Sequence, residues 1–69
     1  MQSDLPPHQL RVLEELTQLS EKLEKLNDFI NGGNCIFNGL NPEEQKRLRD
    51  QAHFMGEYQT VLAQRVAAF

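Results

Sequence analysis

Apolar positions along the chain form two long runs with a helical period, parted by a short break rich in Gly and Asn. In the first run Val12, Leu16, Leu19, Leu23, Leu26 and Ile30 follow at alternating steps of four and three, the spacing that lines up one seam on an α-helix. Leu10 and Leu13 widen that face near its start, and Glu14, Gln18, Glu21 and Lys25 occupy the other side. Glu21 and Lys25 stand four residues apart in the order that favours an ion pair. No Gly or Pro interrupts residues 8–30. Ser3 and Asp4 are N-cap residue types, and Pro6-Pro7 suits a first turn, where a missing N–H costs nothing. A helix is therefore predicted over about residues 7–30.

Asn31-Gly32-Gly33-Asn34 ends it, because Gly and Asn tolerate the left-handed backbone that closes a helix. The connector over residues 31–41 is apolar, and Ile36, Phe37 and Leu40 are expected to fold back over the helices as a plug. Asn41-Pro42-Glu43-Glu44 then supplies a cap residue, a proline at the first helical position and a capping-box Glu. The second helix should run over about 42–67. Leu48, Met55, Leu62 and Phe69 recur every seven residues on it, with Ala52 and Val66 between them. A second stripe, Phe54, Tyr58 and Val61, lies beside the first. Two helices joined by so short a loop pair antiparallel, which buries one stripe and leaves the other for a subunit interface. Gly56 either permits a close helix approach or is tolerated at the surface. The fold class is thus all-α: one domain over residues 1–69, an antiparallel helical hairpin with an apolar connector, assembling into a compact homo-oligomer.

Composition strengthens the oligomeric expectation. A chain of 69 residues has a marginal core unless disulfides, metal or association supplement it. Cys35 is the only cysteine, so no disulfide forms within the chain. Cys35, His8 and His53 lack metal-ligand spacing. No cofactor is implied. The net charge of −3, from 7 Lys and Arg against 10 Asp and Glu, argues against duplex or other long nucleic acid, whose binding needs a basic surface. No apolar run approaches the length of a membrane span and no signal-peptide pattern is present. A soluble, intracellular protein is expected.

No catalytic constellation is found. Glu14 and Glu15 point to different sides of their helix, so they are no acid–base pair. His53 reads as a surface histidine and Cys35 as a small loop hydrophobe. The cations are more informative. Arg11 and Lys22 lie eleven residues apart, about three turns, and so share one side of the first helix. Lys25 continues that side and His8 precedes Arg11 by one turn. This is either a solvated charged stripe, the commoner case on composition alone, or half of a basic slot completed by another subunit. Lys46, Arg47 and Arg49 read as surface partners of Glu43, Glu44 and Asp50, and Arg65 as a snorkelling rim residue.

The order of these features resembles a known group. Pro7-His8-Gln9-Leu10-Arg11-Val12, Glu15, Leu16, Leu19, Lys22-Leu23-Glu24-Lys25-Leu26 and Phe29-Ile30, followed by Phe37, Leu40, Glu43-Glu44, Leu48, Gln51, Met55, Tyr58, Leu62 and Arg65-Val66, is similar to the phage anti-CBASS sponge proteins. These are related to small proteins of crAss-like and other phages. The resemblance spans nearly the whole chain, and its specificity lies in order and spacing. It implies a helical hexamer in the cytoplasm of an infected bacterium. That hexamer would bind cyclic dinucleotides and cyclic trinucleotides without cleaving them. It implies dinucleotide pockets between protomers, with Lys22 first and Lys25 second for phosphate, and Arg11 bridging to phosphate or to an acidic neighbour. His8 stands where relatives carry an aromatic residue that stacks on a base. Arg65 is placed at a trinucleotide pocket where three subunits meet. The alternative, from another class, is a helical-hairpin module that inhibits or adapts a host protein. Enzymatic turnover is a distant third.

Overall fold

A computed structural model describes residues 5–69. They form α1 (Pro7–Asn31), the one-turn α2 (Cys35–Asn38) and α3 (Pro42–Ala67). No strand occurs among the described residues. The helices α1 and α3 pack against each other as a hairpin measuring 48 × 18 × 14 Å. The all-helical hairpin expectation is borne out.

Local chemistry sets where the helices start and stop. Ser3 and Asp4, expected as cap types, lie outside the described residues. Pro6 holds the cap position of α1 and offers no side-chain hydrogen bond, but its carbonyl accepts from Gln9 N and Leu10 N at 3.0 and 3.1 Å. At the far end Gly32 N donates to the Asp28 carbonyl at 2.9 Å. A Cβ on Gly32 would lie 2.5 Å from that carbonyl oxygen, and Gly33 has φ +70°, a conformation that side chains with a Cβ rarely adopt. Both glycines are therefore required for the chain to turn. The Asn34 side chain then accepts from Ile36 N and Phe37 N and starts α2, a short helix that the pattern of apolar residues does not disclose.

Asn41 Oδ1 accepts from Glu44 N at 2.8 Å, so the cap of α3 forms as expected. The reciprocal half of the capping box does not: the Glu44 carboxylate accepts instead from Arg47 at 3.0 Å. Further ion pairs among the described residues join Lys46 to Asp50 at 2.9 Å and Arg47 to Glu43 at 3.8 Å. All are exposed and contribute little. The expected Glu21–Lys25 pair is not closed.

The core is small. Val12, Leu19, Leu23, Phe37 and Leu62 are buried, with Leu62 at 0 % exposure. Leu16, Met55 and Val66 pack partly buried against the Val12, Leu19 and Leu62 cluster. The seam of α1 thus faces α3 as its spacing requires. Two expectations are corrected. Ile36 is 70 % exposed and only Phe37 of the neighbouring pair is buried, because the single turn of α2 sends consecutive side chains to different sides. Phe69 lies past the end of α3 and is exposed, so the seven-residue repeat ends at Leu62.

Gly56 faces α1, and a Cβ there would sit 4.0 Å from Leu23 Cδ2, ordinary van der Waals contact. The close-approach reading is not required. Gly56→Ala is therefore expected to stabilise the protein by about 0.5–1 kcal/mol through helix propensity. Thermal unfolding followed by circular dichroism checks this, and a rise of roughly 4 °C is expected for a domain this small.

Candidate functional site

Two contacts fix the register of the hairpin. Gln59 Nε2 donates to Ser20 Oγ at 2.8 Å, and Gly56 stands beside Leu23. Each step up α1 is a step down α3, so Lys22 lies level with Glu57 and Tyr58, and Lys25 level with Phe54. Arg11 lies near the end of α3.

The side of the hairpin follows from the same contacts. Leu16, Ser20, Gln59, Thr60, Ala63, Gln64 and Ala67 line one groove between the helices. At 3.6 residues per turn, Arg11, Lys22 and Lys25 turn away from that groove on α1, and His8 turns partly with them. Phe54, Tyr58, Val61 and Arg65 turn away from it on α3. Four candidate cations and three apolar side chains therefore share the opposite side of the molecule. His8, Arg11, Lys22, Lys25 and Arg65 are all exposed, and none takes part in an ion pair among the described residues. Free cations on a chain of net charge −3 make a local positive field inside a negative envelope.

The structure brings these residues to one side but not to one point. Arg11 and Lys22 are separated by three turns, or about 16 Å along the axis. Three concavities along the hairpin are lined without any cation. One hairpin thus offers a ribbon of charge and apolar side chains that can touch an anion from one side only. Enclosing a small anionic ligand takes a second surface.

Other cations are spent on structure. Arg49 was expected to pair with an acid at the surface; its guanidinium instead stands 5.4 Å from the centre of the Phe37 ring, a cation–π contact. Phe29 meets the same ring edge-on at 5.7 Å. Gln45 Nε2 lies 3.0, 3.3 and 3.1 Å from the carbonyl oxygens of Phe37, Asn38 and Leu40, which locks the connector onto α3. Sequence reasoning missed Gln45 and Arg49, since nothing local marks a side chain that reaches back over five to twelve residues. Phe54 and Tyr58 were noticed as apolar but not as neighbours of the α1 cations. Cys35 and His53 are both exposed, and His53 meets Phe54 edge-on at 5.3 Å.

No cluster of His, Cys, Asp or Glu suited to a metal occurs among the described residues, and no helix among them is long and apolar enough to cross a membrane. Fold and surface together define a small helical-hairpin protein with one exposed, partly basic side. The Sequestin family model matches residues 6–68, almost the entire chain, and the protein belongs to the Sequestin family. The family name denotes sequestration, a binding role rather than a catalytic one. No curated protein and no solved structure matches the chain.

Proposed function

We propose that the protein is a sponge for a small nucleotide signal of bacterial immunity, and that its ligands are the cyclic dinucleotides and cyclic trinucleotides of CBASS. It holds them intact in the cytoplasm of a phage-infected bacterium. The observation that carries this reading is the side of the hairpin that holds Arg11, Lys22, Lys25 and Arg65, without ion partners among the described residues, together with exposed Phe54 and Tyr58. Membership of the Sequestin family supports sequestration as its use.

A cyclic dinucleotide presents two phosphates and two flat bases. Lys22 makes the first phosphate contact and Lys25 the second, by charge-assisted hydrogen bonds, and Arg11 bridges to phosphate. His8 stacks on a base with less area than a larger aromatic ring would give. Arg65 serves a separate trinucleotide pocket. Because one hairpin is open on this side, the pockets lie between protomers of a homohexamer. Pockets already formed by the assembly reduce the ordering cost of binding.

Native mass spectrometry with an equimolar panel of cyclic di- and trinucleotides and pyrophosphate-linked nucleotides tests this directly. Intact cyclic rings retained on a hexamer are the expected result. Retention of pyrophosphate-linked nucleotides alone would keep sequestration and overturn the cyclic ligands. Linear products would overturn the sponge, and a protein that ignores every nucleotide would favour a protein partner. Lys22→Ala is expected to leave the helical spectrum unchanged and weaken dinucleotide binding about 10- to 100-fold, the scale of one charged hydrogen bond, as read by calorimetric titration. Unchanged affinity would remove Lys22 from the site.

A further inference from the structure

We propose that Glu15 reads guanine: its carboxylate takes the paired N–H groups on the base edge of a guanylate and so selects among cyclic rings. This deepens the proposed function and rests on its nucleotide reading. The starting point is an acid set among cations. Glu15 follows Arg11 by four residues and precedes Lys22 by seven, so the three fall within about 40° of one line along α1. Glu14 and Glu21 stand one residue before Glu15 and Lys22, and so more than a quarter turn away from them. Glu24 lines the groove on the far side with Ser20 and Gln59. Of the acids of α1, Glu15 alone falls on the line of Arg11 and Lys22.

Glu15 is exposed and takes part in no ion pair among the described residues. Arg11 precedes it, the less favourable order for an ion pair along a helix. A negative charge at this point weakens the local field that draws phosphate. That cost is offset where the carboxylate meets donors on the ligand. Ionised, it only accepts hydrogen bonds, so its partner cannot be a phosphate oxygen. A ribose hydroxyl offers one donor. Guanine offers two side by side, N1–H and N2–H, at the spacing of the two carboxylate oxygens, and such paired bonds to a charged group are the strong ones.

Spacing favours the base over the sugar. Seven residues put Glu15 about 10 Å from Lys22 along the axis, the span of one nucleotide from its phosphate to the far edge of its base. With Lys22 on phosphate, the ribose falls short of Glu15 and the base edge meets it. Adenine sets a ring acceptor beside its one amino donor, so a carboxylate gains a single bond there and faces a lone pair. A slot completed by a second copy carries a second Glu15 for the second base. Affinity is therefore expected to fall in steps from cyclic di-guanylate through the mixed guanylate–adenylate ring to cyclic di-adenylate.

Calorimetric titration of the whole chain with these three rings is the test. Glu15→Gln is expected to weaken cyclic di-guanylate about 10- to 100-fold, the scale of a hydrogen bond to a charged group. The same variant should hold cyclic di-adenylate as well as the parent does, or slightly better, so that the steps between the rings flatten. Glu24→Gln, the same exchange on the far groove, is expected to leave all three affinities unchanged. Circular dichroism confirms that both variants are folded. A parent protein that holds the three rings equally would overturn the guanine reading and leave the sponge intact. So would a Glu15→Gln variant that loses all three alike, which would make Glu15 a partner of ribose or a residue that positions Arg11 and Lys22. A parent protein that holds none of the rings would overturn the cyclic dinucleotide reading itself, and with it this proposal.

Discussion

Leu62→Ala is expected to destabilise the protein by about 3–4 kcal/mol, within the range for a buried leucine that leaves a cavity. Leu62, at 0 % exposure, is the most buried of the core residues described, and it sits where Val12 and Leu19 of α1 meet α3. A domain of this size holds only about 3–5 kcal/mol of stability from its core. The substitution removes most of that, so a large unfolded fraction is expected at 37 °C in urea titration or thermal unfolding. A loss below about 1 kcal/mol would mean that α3 slides to close the cavity. Because only five apolar residues are fully buried among the described residues, there is little else to hold the helices in register.

Phe37→Ala is the second large effect, at about 3–5 kcal/mol for a buried aromatic. Phe37 is 2 % exposed. It receives the edge of Phe29 and the guanidinium of Arg49. Its removal takes both contacts from the turn end of the hairpin, and the last turns of α1 and the first of α3 are expected to fray together. Hydrogen exchange locates the effect, with protection lost first around residues 26–31 and 42–49. Ile36→Ala is the matched control. One position earlier in the chain but 70 % exposed, it is expected to change stability by less than about 0.5 kcal/mol, the usual bound for surface sites. Equal losses at the two positions would show that Ile36 is covered by something outside the hairpin.

The difference between these neighbours shows where sequence stops being legible. The seam of α1 could be read from spacing, because Val12, Leu19 and Leu23 repeat often enough for the helical period to choose their side. Ile36 and Phe37 offer no period. The Asn34 side chain, by bonding Ile36 N and Phe37 N, fixes the phase of a single turn and so decides which of the two is buried. Phe69 kept the seven-residue rhythm, but the helix it would extend ends at Ala67. Arg49 and Gln45 were illegible for a different reason: their partners are set by how the connector folds back.

The candidate site was half readable. Spacing alone put Arg11, Lys22 and Lys25 on one side of α1. That Phe54, Tyr58, Val61 and Arg65 share this side required the sense in which α3 docks on α1. The Ser20–Gln59 hydrogen bond and the groove beside it settle that sense. A hairpin docked through its other groove would have put the same two stripes on opposite sides of the molecule.

The turn has one further consequence. Asn34, Asn41 and Gln45 close it with neutral amides, each bonded to backbone. Nothing among those bonds titrates, and none is screened by salt. The Lys46–Asp50 and Arg47–Glu44 pairs are exposed on the first turns of α3 and make none of these bonds. The amide hydrogen bonds of the turn therefore persist as ionic strength is varied, while the Arg49–Phe37 contact beside them carries a charge. Under the proposed function, the effect of salt on binding then reports the exposed cations Arg11, Lys22, Lys25 and Arg65 more than the backbone bonds of the turn.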